Sequence, residues 1–138
     1  MKKTLILLRL FMIGGGLYLI IEIAWRGYSH PAMYFVGGVC FVLIGLINEQ
    51  LTFDMSLLVQ GLIATGIVLV IEFIAGLVLN VWLQLAVWDY SALPGNLLGQ
   101  VCVPFAGLWY VLSIAGIVID DYLRYWFFEE EKPRYRII

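Results

Sequence analysis

The chain has 138 residues, of which 63% are hydrophobic and only 13% charged. A soluble domain carries about 25% charged residues, so this composition lacks the polar surface to stay dispersed in water and suits a lipid bilayer as its solvent. The net charge of -2 and the lack of a basic stripe interleaved with aromatics give a nucleic-acid partner no footing.

Met1-Lys2-Lys3 and the apolar run behind it have the outline of a secretory leader. Arg9 breaks that run, however, and it continues past Ile21 with no A-x-A site. The segment therefore reads as a retained first membrane helix over residues 5–25. Gly27 to Pro31 is a turn. A second helix over 32–47 is short against the ~20 residues a crossing needs. Asn48 to Asp54 links it to a third helix over 57–80, which Thr52 or Asp54 can cap. Trp88 to Asn96 follows, with Pro94-Gly95 as the turn signal. The fourth helix runs over 97–119, and Pro104 within it predicts a kink that frees a carbonyl near Gln100. Residues 120–138 form a tail that mixes Glu129-Glu130-Glu131 with basic residues, as a solvated end does. The fold class is thus an all-α membrane protein with four transmembrane helices, one domain over 1–138.

Aromatics gather at these boundaries: Trp25, Tyr28 and Tyr34; Trp82, Trp88 and Tyr90; Tyr122, Tyr125 and Trp126. Such rings favour headgroup depth. Four crossings put both termini on one side, with Lys2, Lys3, Arg9, Arg124, Lys132, Arg134 and Arg136. Arg26 stands alone on the other, so the positive-inside rule places both termini in the cytoplasm. Cys40 and Cys102 lie in apolar runs with no CxxC spacing and read as small packing residues.

The first half recurs in the second. Gly16, Leu19, Ile21 and Glu22 match Gly66, Leu69, Ile71 and Glu72 at an offset of 50. Val39-Cys40, Gly45 and Leu46 match Val101-Cys102, Gly107 and Leu108 at an offset of 62. Two tandem two-helix repeats of this kind imply a pseudo-twofold axis along the membrane normal.

An ionisable group in hydrocarbon costs several kcal/mol unless it is paired, neutralised or wet. Glu22 and Glu72 are accordingly the most informative residues. Arg26 follows Glu22 by one helical turn and can pair with it. Asp89 can reach Arg26 from the other loop. Glu72 has no basic partner on its own helix, so it is either protonated or paired with Arg26 or His30. These residues form an outward-facing polar cavity or, on the plainer reading, an ion-pair network that fixes helix packing. Asn96 and Gln100 lie one turn apart and can join that cavity. Trp109 packs inside the bundle. Gly14-Gly15-Gly16, Gly37-Gly38 and the Gly95-xxx-Gly99 spacing allow close helix approach. His30, beside Pro31, reads as a surface residue. There is no Ser/His/Asp set, no HExxH and no phosphate loop, so no enzyme, no cofactor and no metal site is expected. Nothing in the chain hydrolyses ATP.

Ile71-Glu72-Phe73-Ile74-Ala75-Gly76, then Trp88-Asp89-Tyr90-Ser91, then Pro94, Asn96, Gly99, Cys102 and Leu108-Trp109 resemble the ABC-transporter type IV, or CmpB-like, family of bacterial membrane proteins. The resemblance covers residues 71–113, roughly a third of the chain. Phe73, Gly95 and Gln100 depart from its pattern, where a tyrosine, an aromatic and a basic residue are usual. It implies a bacterial inner-membrane location and a permease-like role, with Glu72, Trp88, Asp89, Tyr90, Ser91 and Asn96 important. The expected function is a permease-like or channel-like transport component with an outward polar site around Glu22 and Glu72. The alternative is a non-transporting structural or regulatory subunit that binds a partner protein. An enzyme acting on lipid ranks third. Four helices enclose little volume, so a homo-oligomer or a partner membrane protein is expected, with membrane lipids around it.

Overall fold

A computed structural model describes residues 1–50 and 55–138. Its helices are α1 (Lys2–Arg26), α2 (Ala32–Gln50), α3 (Leu57–Gly76) and α4 (Val103–Phe127), and a π-helical turn, Leu77–Trp82, continues α3. Among the described residues there is no β-strand, only two isolated bridges. Each helix is long and apolar enough to cross a membrane, and the chain is a multi-pass membrane protein.

The distribution of polarity follows from that solvent. Leu62 and Val111 are each 63% exposed, along with Ile20, Phe35 and Val70, whereas Glu22, Gln60, Glu72, Ser113, Asp120, Asp121 and Arg124 are buried. Lipid accepts the apolar exterior at no cost, and the polar groups must find partners inside.

α1 ends at Gly27, whose φ of 80° is the left-handed cap that glycine adopts without strain, and its N–H bonds the Ile23 carbonyl at 2.8 Å. The short turn sends α2 back along α1. There the glycines receive aromatic side chains from the opposite helix: Phe41 lies over Gly14, Tyr18 over Gly37 and Phe11 over Gly38. A methyl at any of these three would strike a ring, so their role is close packing. The matched glycines of the two halves are not uniform in surroundings. Gly16 and Gly66 both face open space, but Gly45 packs on the Asp120 carboxyl while its match Gly107 faces open space.

α3 and α4 pack on α2 through Ile44, Ile47, Ala64, Val68 and Ile117. A second apolar cluster, Met33, Val87 and Trp88, joins the start of α2 to the segment before α4.

Three helix ends differ from the hydropathy reading. α2 continues to Gln50, past residue 47, because the Asn48 amide is taken inside by Asp121 at 2.5 Å. α4 continues to Phe127 rather than stopping at 119, since Asp120, Asp121 and Arg124 are buried and find polar partners within the bundle. The same helix begins at Val103, not near Leu97. Pro104 stands in its first turn, where the missing N–H and fixed φ suit a start, so it opens the helix and does not kink it.

The cap assigned to Thr52 or Asp54 lies outside the described residues. Ser56 precedes α3 without a side-chain cap. The chain's last residues serve instead: Leu57 N–H donates to the Arg136 carbonyl at 2.6 Å and Ser56 Oγ to that of Ile137 at 2.7 Å. The tail is therefore folded back on the α2–α3 end, with Pro133 buried and Glu129, Glu131, Lys132, Arg134 and Arg136 exposed.

Candidate functional site

Glu22 and Arg26 occupy the last turn of α1, four residues apart on one face, and their side chains meet at 2.5 Å. Ser29 Oγ also donates to Glu22, at 2.8 Å, and Arg26 reaches the Val87 carbonyl at 3.3 Å. The guanidinium thereby ties α1 to the segment after α3, and Tyr28 covers it 4.8 Å from the ring centre.

Glu72 lies on α3 with no cation bonded to it. Trp109 Nε1 donates to one carboxylate oxygen at 2.9 Å and Tyr90 Oη to the other at 3.1 Å. Both oxygens act as acceptors, and neither meets a cation among the described residues. Burial, then the adjacent Glu72 charge, pushes the Tyr90 phenol above its ordinary range and keeps it a neutral donor. The Trp109 ring stacks on Tyr18 of α1, with centroids 5.8 Å apart, and the Tyr90 ring on Phe105 at 4.6 Å.

The segment between the π turn and α4 carries these groups to the bundle. Asn80, on the π turn, accepts the Val87 N–H at 2.7 Å and donates to Gln100 Oε1 at 2.9 Å. The Trp88 indole donates to the Gln100 carbonyl at 3.0 Å, and Gln100 packs against Gly76, where no side chain fits. π turns collect where a helix is re-aimed at a site. Here the turn rotates Asn80 inward to become the post on which the returning loop hangs.

Tyr18, Glu22, Arg26, Glu72, Trp88, Tyr90 and Trp109 line one cavity of about 110 Å³. It brings together five of the sequence-selected residues, Glu22, Arg26, Glu72, Trp88 and Tyr90. The other four lie elsewhere. Asp89 does not bond Arg26; it is exposed and accepts Ser91 N–H at 2.9 Å and the Ser91 hydroxyl, which hold its carboxyl below the usual range. Asn96 clamps the same loop, donating to Leu93 O at 2.9 Å and accepting from Gly99 N–H at 3.1 Å. Asp89, Ser91, Asn96 and Gln100 thus shape the loop and leave the cavity to others. No kink at Pro104 frees a carbonyl near Gln100; the Gln100 carbonyl lies ahead of α4 and accepts the Trp88 indole. His30 is not paired with Glu72: its ring accepts the Ala32 N–H at 3.1 Å at the start of α2.

Tyr18, Ser29 and Asn80 carried no sequence signal, because each is one polar or aromatic residue among many in an apolar run. Trp109 was placed inside the bundle without its bond to Glu72. A second polar cluster at the opposite end was also missed, because hydropathy ended the helix one residue short of it. There Arg124 bonds Asp120 at 2.7 Å and approaches Glu130 at 3.4 Å and Glu49 at 3.7 Å. Asp121 accepts from Asn48 at 2.5 Å and Tyr135 Oη at 2.8 Å. Burial, then Glu49, raises the Glu130 carboxyl, and burial with Asp121 raises the Tyr135 phenol.

Searches of curated proteins and of solved structures return no match. A family model described as "Putative ABC-transporter type IV" matches residues 10–136, nearly the whole chain, and the chain belongs to that family.

Proposed function

We propose that this protein is a permease-like or channel-like transport component, with its solute site in the cavity of Glu22 and Glu72. The observation that carries this is the convergence of two buried glutamates, from helices that do not pack closely on each other, on one cavity. An acid kept in hydrocarbon marks a pathway more often than a packing seam. The family's description points the same way. The Lys and Arg distribution supports a cavity facing outward, with both termini in the cytoplasm of a bacterial cell. The role is non-enzymatic, and the small enclosed volume favours work as a homo-oligomer or beside a partner. The matching Glu22 and Glu72 segments support descent of the two halves from one repeat.

Electrophysiology on solid-supported proteoliposomes tests the site. Gradients of protons, alkali cations and small ammonium ions should evoke a current in the native protein that Glu72→Gln abolishes without loss of the folded fraction. Equal currents in both would reject it.

A second reading, a non-transporting subunit held by a partner, is favoured by Gly16, Gly66 and Gly107, which all face open space on the bundle. In that case Glu72→Gln lowers thermal stability and no gradient evokes a current.

A further inference from the structure

The polar cavity is continuous with a second one. A groove of about 130 Å³ runs from Tyr18, Glu72 and Trp109 past Leu17 and Ala115 to Ile119. The two share Tyr18, Ile21, Met33, Glu72, Trp109 and Leu112 as walls. The groove exists because α1 packs chiefly along α2, which leaves a gap toward α4 that the Tyr18–Trp109 stack crosses. Its walls are almost wholly apolar from Leu17 to Ile119.

The two ends differ in charge and chemistry. At the upper end Glu22 is compensated by Arg26. Glu72 is bonded among the described residues by neutral donors, Tyr90 and Trp109, so a cation entering the cavity would be its counter-charge. Around it stand the rings of Tyr18, Trp88, Tyr90, Phe105 and Trp109. Aromatic faces beside a carboxylate attract an organic cation, more strongly where water is excluded. An anionic headgroup would find no free cation among the described residues of the cavity wall, since Arg26 is taken by Glu22. The lower end offers only hydrocarbon.

On the reading that this cavity is the solute site, we propose that its ligand is a cationic amphiphile. The alkylammonium head sits against Glu72 and the surrounding aromatic rings, and the alkyl tail lies in the groove between α1 and α4. Entry is sideways, from the bilayer, through the same gap.

Binding of tetramethylammonium and dodecyltrimethylammonium to the protein in zwitterionic nanodiscs tests this, read by tryptophan fluorescence. Ala115, exposed on the groove wall, offers the variant Ala115→Trp, which fills the groove away from the glutamates. Both cations should bind the native protein, and Glu72→Gln should weaken both. Ala115→Trp should leave tetramethylammonium unchanged but weaken dodecyltrimethylammonium by about tenfold or more, the loss expected when even two methylenes leave an apolar site. Partition into lipid is common to all variants and cancels in the comparison. Three results overturn the proposal: equal effects of Ala115→Trp on the two cations, as when a bilayer lipid fills the groove; tighter binding of dodecyl sulfate than of dodecyltrimethylammonium; or no binding of either cation. If the gradient-evoked current still depends on Glu72 in any of these cases, the solute site stands and only its amphiphilic ligand is rejected.

Discussion

Trp109 of α4 donates its indole N–H to the Glu72 carboxylate of α3 at 2.9 Å, and the same ring stacks on Tyr18 of α1. One side chain thus joins three helices at the point where the cavity and the groove meet. Trp109→Phe keeps an aromatic face for Tyr18 but removes the donor. It should lower stability by about 1–3 kcal/mol, the usual cost of leaving a buried acceptor unpartnered. Thermal unfolding in detergent measures this. Adding Glu72→Leu should recover part of the loss, because the unpaired carboxylate is then gone.

The opposite end of the bundle depends on Arg124. Arg124→Met leaves Asp120 buried and unpaired beside Asp121, with a destabilisation of about 3–5 kcal/mol expected for breaking one side of a buried pair. Arg134→Met touches only an exposed pair with Glu131 and should leave the unfolding temperature unchanged. Similar shifts for the two variants would contradict the assignment of Asp120–Arg124 as an internal lock.

The returning tail makes a separate prediction. Removing residues 129–138 strips Leu57 N–H and Asp121 of their partners Arg136 and Tyr135. Hydrogen exchange at the first turn of α3 should rise by at least about tenfold, as expected for opening a local bonded unit. The middle of α1 should not change. Uniform exchange across both segments would show that the tail does not hold the α3 end.

Asp89 supplies the pH dependence. The Ser91 hydroxyl and N–H favour its ionised form and hold the carboxyl below its ordinary value. A depressed folded pKa contributes stability that is present above the unfolded value and is lost as pH falls through the folded one. The Trp88–Gly99 loop should therefore loosen in acid below the normal carboxylate range. Ser91→Ala should move the Asp89 titration upward and shift the loosening to higher pH. Carbon NMR of the Asp89 carboxyl reads both effects. An unmoved titration would refute the role given to Ser91.

Much of this architecture is legible in the amino-acid sequence, for a physical reason. Hydrocarbon tolerates few structures, so four apolar runs become four helices, and Glu22 and Glu72 must turn inward. Glu22 and Arg26 are paired by helical spacing alone. Sequence reasoning fails where tertiary contact decides. Asp120 and Asp121 look like the start of a soluble tail until Arg124 is seen to pair with the first and Asn48 and Tyr135 to hydrogen-bond the second. Pro104 breaks a helix interior but opens a helix start, and only the position of Val103 distinguishes the two. Asp89 was drawn toward Arg26 by charge, yet Ser91, two residues on, competes at much shorter range. Tyr90, by contrast, reaches Glu72 through a bond that no spacing rule encodes.

A water-reachable cavity between Glu22 and Glu72 is the claim on which the functional account depends, and thiol accessibility tests it most directly. With Cys40 and Cys102 replaced by alanine, Leu112→Cys places a thiol on the cavity wall, and Leu62→Cys places one on the lipid face. A charged, membrane-impermeant thiosulfonate added at the Arg26 end should modify the first and not the second, and tetramethylammonium should slow that reaction. Modification of neither thiol, or a reaction at Leu112→Cys that tetramethylammonium leaves untouched, would contradict a solute site between the two glutamates.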